Sequence, residues 1–268
     1  MGFRVVPGQH LFAAHGYFAG TDEQRLADLN TMLADPQLQA IWFARGGYGT
    51  TRLLNRVRWA ALTRHPKTLI GYSDLTALFA RALRRKEQVC LHGPLVTELD
   101  EPSAFHGSSL RAALAGETIE LPLPRRGVLH PGRAAGRLLG GNLTVLVHLL
   151  GTRYFPDLRN AVLFLEDVGE PAYRLDRSLT QLAMSGRLSG VRAILVGSFE
   201  PAPRDGSRRN DRPVRDLLTE TFVPLGVPVV TGLRAGHVLH QRTLPLGGRA
   251  VVNTGTGRLR IEPVRAGR

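Results

Sequence analysis

The sequence predicts a two-part α/β protein, with a parallel sheet flanked by helices in the first half and a mixed, strand-rich α/β unit in the second. Three observations lead there. Up to residue 121, short apolar runs alternate with amphipathic stripes, as strands and helices do when they take turns around one parallel sheet. Residues 122–133 (Pro-Leu-Pro-Arg-Arg-Gly-Val-Leu-His-Pro-Gly-Arg) concentrate proline and glycine, the composition of a domain boundary. Beyond them strands and helices mix less regularly, and the chain ends in strand segments. The expected organisation is a domain over 1–121, a linker over 122–133 and a second domain over 134–268.

Taken in order, Gly2-Phe-Arg-Val-Val6 reads as a strand. Thr21-Asp-Glu-Gln24 is a capping box and opens a helix with Leu26, Leu29, Met32 and Leu33 on its apolar face. Asp35-Pro36 stops that helix, because a residue before proline is pushed out of helical geometry. Ala40-Ile-Trp-Phe-Ala44 is a buried strand, Arg45-Gly-Gly-Tyr-Gly49 a glycine-rich loop, and Thr50 the start of another helix. Thr68-Leu-Ile-Gly-Tyr72 is an apolar run suited to a buried parallel strand. The period then switches: Leu75, Leu78, Phe79, Ala82 and Leu83 share one helical face, which predicts a helix over 74–85. Val89-Cys-Leu91 is a strand, His92-Gly-Pro94 a turn, and a helix surrounds Leu110–Leu114. In the second half the strands are 136–139, 161–165, 193–196 and 227–231, with Gly140-Gly-Asn142 as a turn. Helices are expected over 143–150 and around Leu175, Leu179 and Leu182; residues 201–213 form a polar loop, and Asn253-Thr-Gly-Thr-Gly257 turns a hairpin.

With 43% hydrophobic and 21% charged residues the chain has the make-up of a soluble globular protein. No apolar run approaches a membrane span and no signal-peptide plan opens the chain, so no membrane association is expected. The single cysteine, Cys90, excludes an internal disulfide and fits a reducing compartment. A formal net charge of +13 raises the question of nucleic acid. The arginines, however, are scattered, and the clusters Arg84-Arg-Lys86, Arg125-Arg126 and Arg208-Arg209 lack interleaved aromatics, so no nucleic-acid partner is expected.

Ser73 sits on the joint between strand 68–72 and the helix after it, where unpaired amides and the positive end of the helix dipole face one point. This is the setting of a nucleophile elbow, although Gly71-Tyr-Ser73-Asp-Leu75 lacks the second glycine of that motif; an ordinary N-cap serine is the alternative. A nucleophilic serine needs a base and an acid to orient it. His237 follows the strand 227–231 and Gly232-Leu-Arg-Ala-Gly236, a strand-end loop where active sites collect; an exposed loop histidine is the alternative, and His92 is the second choice. Glu166 ends an unbroken apolar strand, where a carboxylate must be paired, either with an imidazole or with Arg174 or Arg177; Asp167 and Glu170 nearby are the alternative acids. Oxyanion donors are the amide of Asp74 and the Gly46-Gly47 pair, whose alternative is a tight turn. Gly46-Gly-Tyr-Gly49 does not fit a nucleotide-binding loop, and His237 and His240 have no third ligand at metal spacing, so neither cofactor nor metal is expected.

Together, Ala19–Arg25, Arg45-Gly-Gly-Tyr-Gly49, Gly71-Tyr-Ser-Asp74, His92-Gly-Pro94, Gly140-Gly-Asn-Leu143, Leu165–Glu170 with Tyr173–Arg177, Gly197-Ser-Phe199, Gly236-His237 and Leu244-Pro-Leu-Gly247 resemble the LD-carboxypeptidase (muramoyltetrapeptide carboxypeptidase) family of serine peptidases. The resemblance implies a Rossmann-like first domain carrying the nucleophile Ser73 and a second domain carrying the acid Glu166 and the base His237, with Gly46, Gly47 and Asp74 at the oxyanion. It implies a cytoplasmic, metal-free homodimer that cleaves the bond between L-lysine or meso-diaminopimelate and the terminal D-alanine of murein tetrapeptides. Arg45, Tyr48, Asn142, Arg174 and Arg177 are its candidate substrate contacts. Family members carry a further strand, Pro-Ser turn and helix ahead of Gly2–Val6, so either the start lies upstream or this form is less stable or inactive. The rival readings are a related microcin-immunity hydrolase that cleaves a peptide–nucleotide amide, and an inactive truncated homologue.

Overall fold

The computed structural model describes residues 2–201 and 212–264, with the backbone alone at Glu200 and Pro201. In the first half the elements are α1 (Asp22–Ala34), β1 (Ala40–Trp42), α2 (Thr50–Leu53), α3 (Trp59–Arg64), β2 (Thr68–Gly71), α4 (Thr76–Ala82), β3 (Cys90–His92) and α5 (Gly107–Leu114). Then come β4 (Ile119–Pro122), β5 (Val128–His130), β6 (Arg133–Asn142), α6 (Leu143–His148), β7 (Ala161–Glu170) and α7 (Ala172–Met184). The chain closes with β8 (Ala193–Pro201), α8 (Val214–Phe222), β9 (Val229–Val230), β10 (Leu244–Leu246), β11 (Arg249–Asn253) and β12 (Arg258–Glu262).

Two sheets result, as the mixed α/β reading expects. The first runs β1-β2-β3-β10; its three early strands are parallel, and β10 returns from the second half to pair antiparallel with β3, Leu244 opposite His92. The second runs β4-β12-β11-β6-β7-β8-β9-β5, parallel from β6 to β9 and antiparallel at both flanks. The parallel strands read as continuous apolar runs because both faces are covered: every residue from Ala161 to Asp167 is buried. Helix α1 starts as the capping box requires, Thr21 and Gln24 exchanging side-chain-to-backbone bonds of 3.2 and 2.9 Å.

Several local expectations need correction. Gly2–Val6 joins no strand; Phe3, Val5 and Val6 are exposed, and an isolated apolar run has no ladder to enter. Gly140–Asn142 is the end of β6, not a turn. Its glycines allow close approach: a Cβ on Gly140 would stand on the Phe164 carbonyl, and one on Gly141 on Thr76 Oγ1. Residues 122–133 hold a helical turn, β5 and the start of β6, and β4 pairs with β12, so the chain passes into the second sheet before Ile119. Helices α3 and α8 are additions to the expected set. The expected polar loop 201–213 lies almost wholly outside the described residues.

Candidate active site

Strand β2 ends at Gly71, Tyr72 continues extended at φ −157°, and Ser73 then adopts φ 66° before a 3-10 turn leads into α4. A left-handed backbone is unfavourable for a residue with a Cβ, at a cost of roughly 1–3 kcal/mol, and such strain gathers at functional turns. The plain N-cap alternative does not describe Ser73: the cap positions fall on Tyr72 and Leu75, and neither helix start carries a side-chain cap bond. Ser73 is half-buried between buried Tyr72 and Asp74.

The glycine loop after β1 lies against this turn. A Cβ on Gly46 would stand 3.0 Å from Ser73 Cβ and 3.2 Å from its Oγ, so only a bare backbone approaches the hydroxyl this closely. Asp74 fixes the loop from the other side: its buried carboxylate accepts from the Thr50 amide at 2.8 Å, at the start of α2. Burial pushes the Asp74 carboxyl up, against the bonds from Thr50 that pull it down. Sequence reading looked to the Asp74 amide; the carboxylate that ties loop to turn is an added feature.

Glu166 is completely buried in β7, and its Oε2 lies 2.7 Å from His237 Nδ1 and 3.4 Å from the His237 amide. Of the two partners open to Glu166, the structure brings the imidazole rather than Arg174 or Arg177. Gly236, at φ 94°, makes this possible, since a Cβ there would sit 2.6 Å from Oε2. Burial, the largest single influence, would raise the Glu166 carboxyl, but the bond from His237 and the pull of nearby His92 together outweigh it and hold the group down at about 2. Burial would lower His237, but the Glu166 bond and charge win and raise it above its ordinary value. With Nδ1 engaged, Nε2 is the ring nitrogen left for proton transfer.

Contacts across the two sheets bring this pair to the serine turn. The Tyr72 ring, one residue from Ser73, packs tilted against the His237 ring, with centroids 4.7 Å apart. Thr76 Oγ1, at the start of α4, accepts from the Asn142 amide at 2.9 Å. Tyr72 is itself anchored, its hydroxyl donating to Glu98 Oε1 at 2.6 Å, and burial followed by that bond pushes the phenol far up. Sequence reading missed Tyr72 and Glu98. The available signal was a phenol in a buried strand, which must find a partner; nothing local marked Glu98.

The remaining candidates are placed differently. Arg45 is exposed on the glycine loop, and the Tyr48 ring on the same loop lies tilted 5.8 Å from Phe18 and 6.2 Å from Tyr17. Asn142 is buried and engaged by the fold: its amide oxygen caps α6 by accepting from Val145, and its amide nitrogen donates to Asp167, both at 3.0 Å. Arg174 and Arg177 flank the Tyr173 ring on the exposed side of α7, with Arg174 3.7 Å from Glu170. Among the described residues no group of three histidine, cysteine or acidic side chains could hold a metal ion, and no helix is long and apolar enough to cross a membrane.

A strained serine at a strand–helix joint, close to an imidazole bonded to a buried carboxylate, has the parts of a serine hydrolase. Residues 1–93 match the LD-carboxypeptidase N-terminal domain and residues 135–252 the LD-carboxypeptidase C-terminal domain; the chain belongs to the LD-carboxypeptidase family. It is 37% identical to the murein tetrapeptide carboxypeptidase of Pseudomonas aeruginosa, over 91% of this chain and 82% of that protein. It is 27% identical to the microcin C7 self-immunity protein of Escherichia coli, over 94% and 82%. Among solved structures, the muramoyltetrapeptide carboxypeptidase of Oxalobacter formigenes superposes with a TM-score of 0.83 at 31% identity, covering 95% of this chain and 89% of that one.

Proposed function

We propose that the protein is a serine LD-carboxypeptidase that removes the terminal D-alanine from murein tetrapeptides. Ser73 Oγ attacks the carbonyl carbon of the bond between the L-centre of lysine or meso-diaminopimelate and D-alanine, while His237 Nε2 takes the hydroxyl proton. The oxyanion that forms is held by the amide of Asp74 and by the Gly46-Gly47 backbone. As the C–N bond breaks, His237 returns the proton to the leaving amine of D-alanine. Water, deprotonated by the same imidazole, then hydrolyses the acyl-serine, and the proton goes back to Oγ. Glu166 keeps Nδ1 protonated and stabilises the imidazolium in both halves of the cycle.

The observation that carries this reading is the 2.7 Å bond between His237 and fully buried Glu166, with the His237 ring packed against the neighbour of Ser73. The similarity to the Pseudomonas aeruginosa enzyme supports the substrate. Arg45 is the candidate for the substrate's free carboxylate. The reading places the enzyme in the cytoplasm as a homodimer, which light scattering tests; a buried thiol at Cys90 suits that compartment. The test of function is D-alanine release from a murein tetrapeptide. Wild type releases it, and Ser73→Ala loses about 10⁴-fold or more. Full activity in that variant would reject the mechanism. The likeness to the self-immunity protein supports a second reading, hydrolysis of a peptide–nucleotide amide. Assaying both substrates side by side separates the two.

A further inference from the structure

Glu166 is bonded through one oxygen only. Its Oε1 is as deeply buried as Oε2 and accepts no hydrogen bond. Facing it at 3.9 Å stands Nε2 of His92, a histidine 1% exposed whose two ring nitrogens have no partner either. Buried polar atoms without partners are costly, and here an orphaned ring nitrogen and an orphaned carboxylate oxygen face each other. The imidazole is held beside Glu166 by its surroundings. His92 closes β3, paired with Gly71 on one side and Leu244 on the other, and its ring lies 5.6 Å from the Tyr72 ring and edge-on at 5.0 Å from Phe164.

Resting on the triad reading above, the geometry points to His92 as a positioning residue whose Nε2–H is the second donor to Glu166. The contact forms through a closing movement of about 1 Å or through one bridging water. Donors on both oxygens stop the carboxylate from rotating and keep Oε2 on His237. They also set how much charge Oε2 presents. The groups that act on His237 are Glu166 in contact with it and, further off, Asp167 and Glu98; those around His92 are Glu166 and the Tyr72 phenol. Removing the His92 donor therefore leaves more charge on Oε2 and makes His237 hold its proton more tightly.

The test reads the triad in two ways: the rate at which a fluorophosphonate labels Ser73, and kcat and KM for D-alanine release, each across pH. His92→Phe keeps the ring's bulk without a donor, and His92→Gln keeps an N–H. His92→Phe is expected to slow labelling and kcat by roughly 10- to 100-fold with KM unchanged, as loss of an orienting outer partner does. Its acid limb moves to higher pH, and His92→Gln recovers most of both effects. A slow His92→Phe with an unmoved limb and no recovery in His92→Gln marks a purely structural histidine and overturns the proposal. So does a wild-type rate, and so does a loss as complete as that of His237→Ala, which would make His92 the base. If neither variant folds, imidazole ¹⁵N shifts of the wild type decide: a proton on Nε2 supports the proposal, and a bare Nε2 overturns it. Should labelling follow the expected pattern while no D-alanine is released, the substrate reading fails and the His92 inference stands.

Discussion

Replacing Gly46 by alanine separates chemistry from folding. The atoms nearest the new Cβ would be those of the Ser73 side chain and the Tyr72 carbonyl oxygen, at 3.0 to 3.6 Å, and the residue needs no left-handed backbone. Gly46→Ala should lower kcat by about 10- to 100-fold, with a Tm within a few degrees of wild type; a large fall in Tm with kcat intact would contradict the role of the loop. Glu166→Gln tests the buried pair. Without the carboxylate that raises His237, the acid limb of kcat/KM should move to lower pH while kcat falls about 10²- to 10⁴-fold. Stability carries its own signature. Glu166 is lowered from 4.5, so its contribution is present above that value and lost as pH falls toward 2. His237 is raised from 6.5, so its contribution is full below 6.5 and lost as pH rises through the raised value. The Tm gap between wild type and Glu166→Gln should therefore peak between these two limits and narrow outside them. At this scale the meeting of Glu166 with His237 was legible because a carboxylate in an apolar run must find a polar partner. Asn142 was not: its position in Gly140–Leu143 drew attention, while its partners Val145 and Asp167 are set by the packing of β6, α6 and β7.

Elements follow the sequence where local chemistry decides them. The capping box of α1 is such a case, and Thr21→Ala should cost about 1 kcal/mol in urea unfolding, leaving kcat unchanged; a loss below a few tenths would mean the cap is dispensable. The core strands β2, β7 and β8 were also legible, since a run buried on both faces is apolar throughout. Where the sequence misled, tertiary contact overrode a local signal. Gly140-Gly141 looks like a turn, yet the glycines are there because Phe164 and Thr76 come too close for a side chain. Gly2–Val6 looks like a strand but has no neighbour to bond. Helix α3 begins without a side-chain cap, which removes the sign that would have announced it.

On the scale of the whole molecule, the two sheets are fastened rather than merely adjacent. Strand β10 belongs to the first sheet although β11 follows it directly into the second, a pairing set by partners about 150 residues away and invisible to any local window. Arg137 on β6 reaches across, donating to the carbonyls of Leu83 and Arg85 after α4 at 2.6 and 2.7 Å and to Gly247 at 3.1 Å. Arg137→Met should cost about 3 kcal/mol, because three carbonyls lose a charged donor; a loss under 1 kcal/mol by urea unfolding would show that the fastening lies elsewhere. The junction matters because Ser73 follows a strand of one sheet, and Glu166, with His237 bonded to it, stands on a strand of the other. If these residues act as one unit, their losses cannot multiply. The decisive measurement is the rate of D-alanine release from a murein tetrapeptide by Ser73→Ala, His237→Ala and the double variant. The double variant should be no slower than either single one; a rate reduced by the product of the two losses would contradict a shared catalytic unit.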